Sequence, residues 1–329
     1  MNDQLTSKRN IFLTGLILLV VVGIFGFMGT LSVIKVIEDL RNGVPLTKTM
    51  FIVPIIFYPF LLYTFYYLLT YFPSLTIDKD GIEISTIFKS KKYAWTEIKQ
   101  IQITGKQFHK FLFVSMPVEA TTIHLNDNSD IYLWVDYYRN KSDLRVVLDR
   151  ANNILQDNKQ FARLDFNIDR PNFANQYVKD NDAKEFNGNH LFTFNGLFFY
   201  GWVIFIGFMV STKPQVFLTN YGAIISLSFA TLVITGMLSY QMHYFQITSQ
   251  YLIVKNTIWF WRKDTYLLSE IREIVIENPH KLSTSVRVIT NDYRDKLYPA
   301  GSLRYKNWKE LIKQLRADNI KLRNEATIY

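Results

Sequence analysis

Four long stretches of the chain carry no charged side chain: residues 10–34, 49–77, 191–212 and 214–254. Each holds an apolar core of roughly 20 residues, the length a helix rising about 1.5 Å per residue needs to cross roughly 30 Å of hydrocarbon. The pattern predicts four transmembrane helices in two hairpins, 11–72 and 191–242, with Pro54 and Pro59 kinking the second helix. After each hairpin the period falls to two. Ile82, Ile84 and Phe88, then Ile101 and Ile103, then Ile123 and Leu125, then Tyr132 and Trp134 are predicted as the inward sides of short strands. Lys79-Asp80-Gly81 and Asn126-Asp127-Asn128 supply turns between them. The period then lengthens: Leu144, Val147, Leu148, Ala151, Ile154 and Leu155 form one helical face, and Trp308, Leu311, Ile312 and Leu315 form another. Each hairpin is therefore expected to lead into a small antiparallel barrel closed by a C-terminal helix.

The plan occurs twice. Glu97, Ile98, Lys99, Ile101 and Ile103 fall, at a shift of 173, on Glu270, Ile271, Arg272, Ile274 and Ile276, while Ile77, Ile82 and Ile84 fall on Ile247, Leu252 and Val254 at 170. The second copy thus carries about three extra residues at one hairpin tip, and the first carries an added stretch, 104–121. The expected organisation is a cytoplasmic N-terminus (1–10), hairpin 1 (11–72), domain 1 (73–156), a polar linker (157–190), hairpin 2 (191–242) and domain 2 (243–329).

Two apolar spans leading into Ile247-Thr248-Ser249-Gln250-Tyr251-Leu252-Ile253-Val254-Lys255-Asn256 and then Leu267-Leu268-Ser269-Glu270-Ile271-Arg272-Glu273-Ile274 resemble the bacterial PH-like (pleckstrin-homology-like) membrane proteins. The resemblance covers nearly the whole chain as a tandem pair, and hydrophobic spacing carries it rather than any catalytic signature. It implies an α+β membrane protein of bacterial origin with two PH-like domains, and a role in envelope maintenance or resistance to membrane-active compounds. The shorter first hairpin and the 104–121 stretch depart from the pattern.

Charge orients this plan. Twelve Lys and Arg near the span ends, Arg170 and Lys179 among them, lie on the domain side, against Lys35, Arg41, Lys48 and Lys213 on the other, which places the N-terminus and both domains in the cytoplasm of a multi-pass inner-membrane protein. Lys8 and Arg9 precede the first apolar run as in a secretory signal, but the run continues to Ile34 without a small-residue cleavage pattern, so a retained anchor is expected. The formal net charge is +9, and +6 of it lies from residue 243 onward. Basic residues interleave with acidic ones and form no stripe, so nucleic acid is not an expected partner.

Only about five residues separate each span from its first strand, Phe72 to Ile77 and Met242 to Ile247, so each barrel sits within about 16 Å of the headgroups. Two hairpin tips can use that position to meet lipid or a partner: Lys89, Lys91 and Lys92 in the first domain, and Trp259, Phe260, Trp261, Arg262 and Lys263 in the second. The plainer alternative is a solvated turn for the lysines and core packing for the aromatics. Gly23, Gly26 and Gly29 recur along one strip of the first span and mark helix packing.

Chemistry is sparse. Absence of cysteine excludes disulfides and thiol catalysis. No ionisable residue interrupts an apolar core, which disfavours a transporter. His109, His124, His190, His243 and His280 lack metal-ligand spacing, and Asp127 and Asp130 near His124 read as a hairpin turn. No enzyme, cofactor or metal is expected. The expected function is a scaffold or interaction protein that meets the bilayer, other membrane proteins or further copies of itself; the alternative is an anionic-lipid sensing or lipid-handling module.

Overall fold

The computed structural model describes residues 3–43, 45, 48–111, 114–157, 161, 164–168, 183–212, 214–215, 221–279, 282–326 and 328. Arg170, Lys179, Lys213 and His280, and most of the linker's middle, lie outside them. The chain divides into two compact units, Met1–Asp169 and Arg170–Tyr329.

The first unit opens with a strand, β1 (Gln4–Thr6), before any helix. Helix α1 (Ile11–Val21) passes through a π-helical turn, Val22–Gly26, into α2 (Phe27–Arg41), and α3 (Lys48–Tyr71) follows, continuing through Pro54 and Pro59. Then come β2 (Ser74–Asp78), β3 (Gly81–Ser85) and β4 (Ser90–Ala94), forming one sheet in the order β1-β2-β3-β4. β5 (Ile98–Gln102), β6 (Lys106–Phe111), β7 (Val114–Leu125) and β8 (Asp130–Trp134) form the second, in which the long β7 pairs with all three others. Helix α4 (Lys141–Gln156) buries Leu144, Val147, Leu148 and Ala151. The 104–121 stretch is thus a β6–β7 ribbon.

The second unit repeats the element order. β9 (Lys184–Phe186) precedes α5 (Phe194–Thr212) and α6 (Tyr221–Tyr240). β10 (His243–Ile247), β11 (Tyr251–Asn256) and β12 (Lys263–Leu267) complete the sheet β12-β11-β10-β9. β13 (Ile271–Glu277), β14 (Ser285–Thr290) and β15 (Asp295–Pro299) form the other, and helix α7 (Tyr305–Ala317) leads to β16 (Leu322–Asn324), parallel to β13. One core runs through this unit, from Phe245 and Leu252 through Ile274 and Val288 to Trp308 and Leu315.

Corresponding bonds recur. Asn126 N donates to Glu97 O (2.9 Å) and Asn291 N to Glu270 O (2.8 Å). Their side-chain amides reach Thr96 O and Ser269 O. The turn after each asparagine holds one left-handed residue, Asn128 (φ 64°) and Tyr293 (φ 58°). Asparagine adopts that conformation readily and tyrosine does not; Tyr293 is fully buried, with the Arg272 guanidinium 4.3 Å above its ring.

The expected four transmembrane helices in two hairpins are corrected. Among the described residues one helix, Phe194–Thr212, is long and apolar enough to cross a membrane; Pro54–Thr70 and Leu227–Tyr240 are shorter apolar stretches. The fold is α+β with four small sheets. The physical reason is that an uncharged run is not one helix. The run 10–34 is split by the π turn, and α2 continues past it into Lys35, Glu38, Asp39 and Arg41. The runs 49–77 and 214–254 spend their last residues on β2 and on β10 and β11, whose inward faces are equally apolar.

Two strand assignments also shift. Phe88 lies beyond β3 in the turn and is 62% exposed. In β8 the inward positions are Ile131 and Leu133, with Tyr132 exposed, while Trp134 is buried by His109 of the ribbon, the ring centroids 4.4 Å apart.

Candidate functional site

Strand register places both hairpin tips at the helix-bearing ends of their sheets. Ser74, three residues after α3, pairs with Ser85, so the turn at 86–89 lies beside the helix end. His243, the third residue after α6, pairs with Asn256; Thr257 N then donates to Met242 O (2.9 Å), and the Asn256 amide donates to Ser239 O (2.8 Å).

Local bonding decides what each tip presents. Thr86 Oγ1 accepts from Lys89 N (3.0 Å), closing a turn that leaves Ile87 and Phe88 exposed. Asn256 Oδ1 accepts from Ile258 N and Trp259 N, and Arg262 N donates to Trp259 O (2.8 Å). Trp259 is consequently half-buried, between the Tyr240 ring and the Arg262 guanidinium, 4.9 Å from its centroid. Phe260 and Trp261 are 80% and 68% exposed. Sequence spacing groups the three aromatics, and the structure divides them into one anchor and an exposed edge-to-face pair, Phe260 and Trp261, with ring centroids 5.1 Å apart.

The cations divide too. Lys92 donates to Asp78 (2.8 Å) and lies 3.5 Å from Asp80, Lys91 stands 4.5 Å from the Tyr93 centroid, and Lys89 is exposed in the turn. Lys263 pairs across strands with Lys255, which spacing alone did not single out. Burial, then the Lys255 charge, hold the Lys263 ammonium below its usual pKa. Ile87 and Lys255 are additions the register makes; the signal for Lys255 was countable, as the residue opposite Lys263.

Gly29 lies against α3: a Cβ there would stand 3.3 Å from the Tyr58 ring, and one at Gly26 would lie 3.9 Å from Leu61. Gly23 has nothing within 4 Å. A groove of about 670 Å³ between α5 and α6 is lined by Ile206, Val210, Leu227, Thr231 and neighbours.

Where the helices meet the sheets, each unit buries a histidine. His109 bonds the Tyr67 hydroxyl of α3 and packs against Trp134 and Tyr137. His243 Nδ1 lies 3.0 Å from Pro299 O, among Tyr240 and Tyr298. His124 Nδ1 lies 2.7 Å from Asp130 Oδ1, and Asp127 accepts from Ser129 N (2.8 Å), so both carboxylates serve the β7–β8 turn. The Tyr132 hydroxyl donates to Asp130 Oδ2 (3.3 Å), and among the described residues no three His, Cys, Asp or Glu are grouped to hold a metal. No protein-family model and no curated protein matches the chain.

Proposed function

We propose that the chain is a non-enzymatic membrane-interface protein of the cytoplasmic membrane, whose two β-rich units are held against the inner face of the bilayer and present surfaces to other membrane proteins or to further copies of the chain. The observation that carries the proposal is the apolar surface its helices leave uncovered: Leu62, Ile204 and Leu232 are 69%, 71% and 72% exposed, in company with Ile55, Phe208 and Phe229. Exposed apolar patches of this extent are rare on water-facing proteins and mark lipid or protein contact. Pairing of β1 with β2 and of β9 with β10 sets both ends of each helical segment on a sheet of its own unit. The tips, placed at the same ends of the sheets, then meet the headgroups.

Flotation of the full chain with vesicles of zwitterionic phosphatidylcholine tests this. Apolar attachment is insensitive to salt, so the chain is expected to float equally at 0.1 M and 1 M salt, between which the Debye length falls from about 10 Å to about 3 Å. A chain that stays in the dense fraction, or that leaves the vesicles at high salt, refutes the proposal.

A further inference from the structure

The two units connect equivalent strands differently. In the second, β13 passes to β14 through residues 278–284, and Ser283 N donates to Gln241 Oε1 (3.0 Å), just past α6, so the connection sits at the helix end. In the first, Ala120 N donates to Gly105 O (2.8 Å), and the β6–β7 ribbon then continues from the Lys106–Glu119 pair to Phe111–Val114. It overshoots the end of α3. His109 bonds Tyr67, four residues before α3 ends at Tyr71, which at about 1.5 Å per residue is about 6 Å back along the helix. Strand alternation gives the ribbon two faces. His109 turns one toward Tyr67 and Trp134; the other carries Phe108, 75% exposed, with Lys110 exposed two residues on and Pro117 exposed opposite. Phe111 pairs with Val114, so the strands join through Leu112 and Phe113, which lie outside the described residues. Two-residue connections in water favour Asn-Gly, Asp-Gly or other glycine-containing pairs. This one is wholly apolar in sequence.

We infer that the outer face of the β6–β7 ribbon is a lipid-contact surface, in which Phe108 enters the bilayer interface beside α3 and Lys110 meets the headgroup phosphates. The inference rests on the membrane-interface proposal and adds to its helices a strand pair that touches lipid. Lipid, rather than a protein partner, is the occupant because the ribbon is held against the helix that leaves Leu62, Tyr66 and Leu69 exposed on either side of Tyr67. The ribbon therefore shares the surroundings of that apolar surface. A lysine next to an exposed aromatic suits the position, since its stem lies along apolar surface while its ammonium stays in the polar layer.

The cysteine-free chain permits single labels. Phe108→Cys and Pro117→Cys, each carrying an environment-sensitive dye on the full chain, report the face from its two strands, and both positions are exposed, so neither replacement removes core. Lys99→Cys is the reference, exposed near the far end of β7, where Ile98 pairs with Leu125. At about 3.3 Å per residue, that end lies up to about 26 Å from Pro117. On phosphatidylcholine vesicles with which the chain floats, the dyes at 108 and 117 should shift to the blue and lose most of their emission to a doxyl group on the acyl chain near the headgroup. The dye at 99 should stay unshifted and be quenched by aqueous iodide. Dyes at 108 and 117 that iodide quenches as fully as the one at 99 overturn the inference. A blue shift that lipid-borne doxyl leaves unquenched also overturns it, by showing that protein covers the face. Failure to float on phosphatidylcholine would instead sink the membrane-interface proposal itself.

Discussion

The two units solve the same construction problem, closing two sheets with one helix, by putting buried charge in different places. In the first, Arg145 of α4 reaches Glu119 of β7 at 3.0 Å with both side chains fully buried, and Glu119 also accepts from Gly105 N (3.2 Å). In the second, Arg287 sits between Glu277 (3.1 Å) and Asp295 (2.9 Å) within the sheet, and α7 closes the core through Trp308, Leu311, Ile312 and Leu315. The helix of the first unit is therefore tied by a polar bond as well as apolar packing. The sheet of the second carries its own buried ionic network, and its helix is held by packing and by neutral bonds at the surface, such as Asn307 Nδ2 to Asn187 O (3.1 Å). A shared backbone plan does not fix where the charges are stored, and the hairpin tips show the same freedom.

The sharpest way to break the comparison is at Glu119. Removing one partner of a buried pair strands the other, which costs about 3–5 kcal/mol, whereas replacing both with apolar residues of similar size is often neutral. Glu119→Ala is expected to lower stability by about that amount in denaturant titration, and Glu119→Met with Arg145→Met to recover most of it. A double variant as unstable as the single one would mean that the bond itself, and not the stranded guanidinium, holds α4.

Acid should separate the units next. Burial holds His109 below its usual pKa, and the rings of Tyr67, Trp134 and Tyr137 around it bring no charge. Burial lowers His243 as well, but the Pro299 carbonyl opposes that, and the charges of Lys296, Asp264 and Arg262 act on it in both directions. A depressed histidine contributes stability that is complete above the unfolded value of about 6.5 and is lost as pH falls through the folded value. Between pH 7 and 5, amide exchange in β6 and α3 should therefore accelerate, and His109→Gln should flatten that response while leaving β10 unchanged. An unaltered pH response in His109→Gln would remove His109 as its source.

How much of this was legible depends on how each feature is encoded. The strands around Ile82, Ile101 and Ile123 and the helical faces at Leu148 and Trp308 announce themselves through period, because each buries a full stripe. The strands β1 and β9 do not, being three residues long and set in polar segments where Leu5 or Phe186 is the single apolar position. The linker concealed core for the same reason: Leu164 and Phe166 are buried, and Phe161 stacks on Trp95 at 4.8 Å. Counting charges overstated the helices, since an inward strand residue is as uncharged as one facing lipid. At the tips, composition marked Phe260 and Lys263, but the opposition of Lys255 is a property of register, which no single strand contains.

The smallest effect is the most specific, because it differs in sign between the two units. In lipid-free detergent, Lys263→Gln relieves a like-charge cross-strand pair and should raise the stability of the second unit by a few tenths of a kcal/mol. Lys92→Gln removes a lysine that bonds Asp78 and faces Glu83, and should lower that of the first. Measured as shifts in denaturant midpoint at 0.1 M salt, both changes should shrink at 1 M, where the Debye length is about 3 Å. Shifts of the same sign would show that the two hairpins do not differ in how they satisfy their charge. Opposite signs would show that the same hairpin position is charge-balanced differently in the two units.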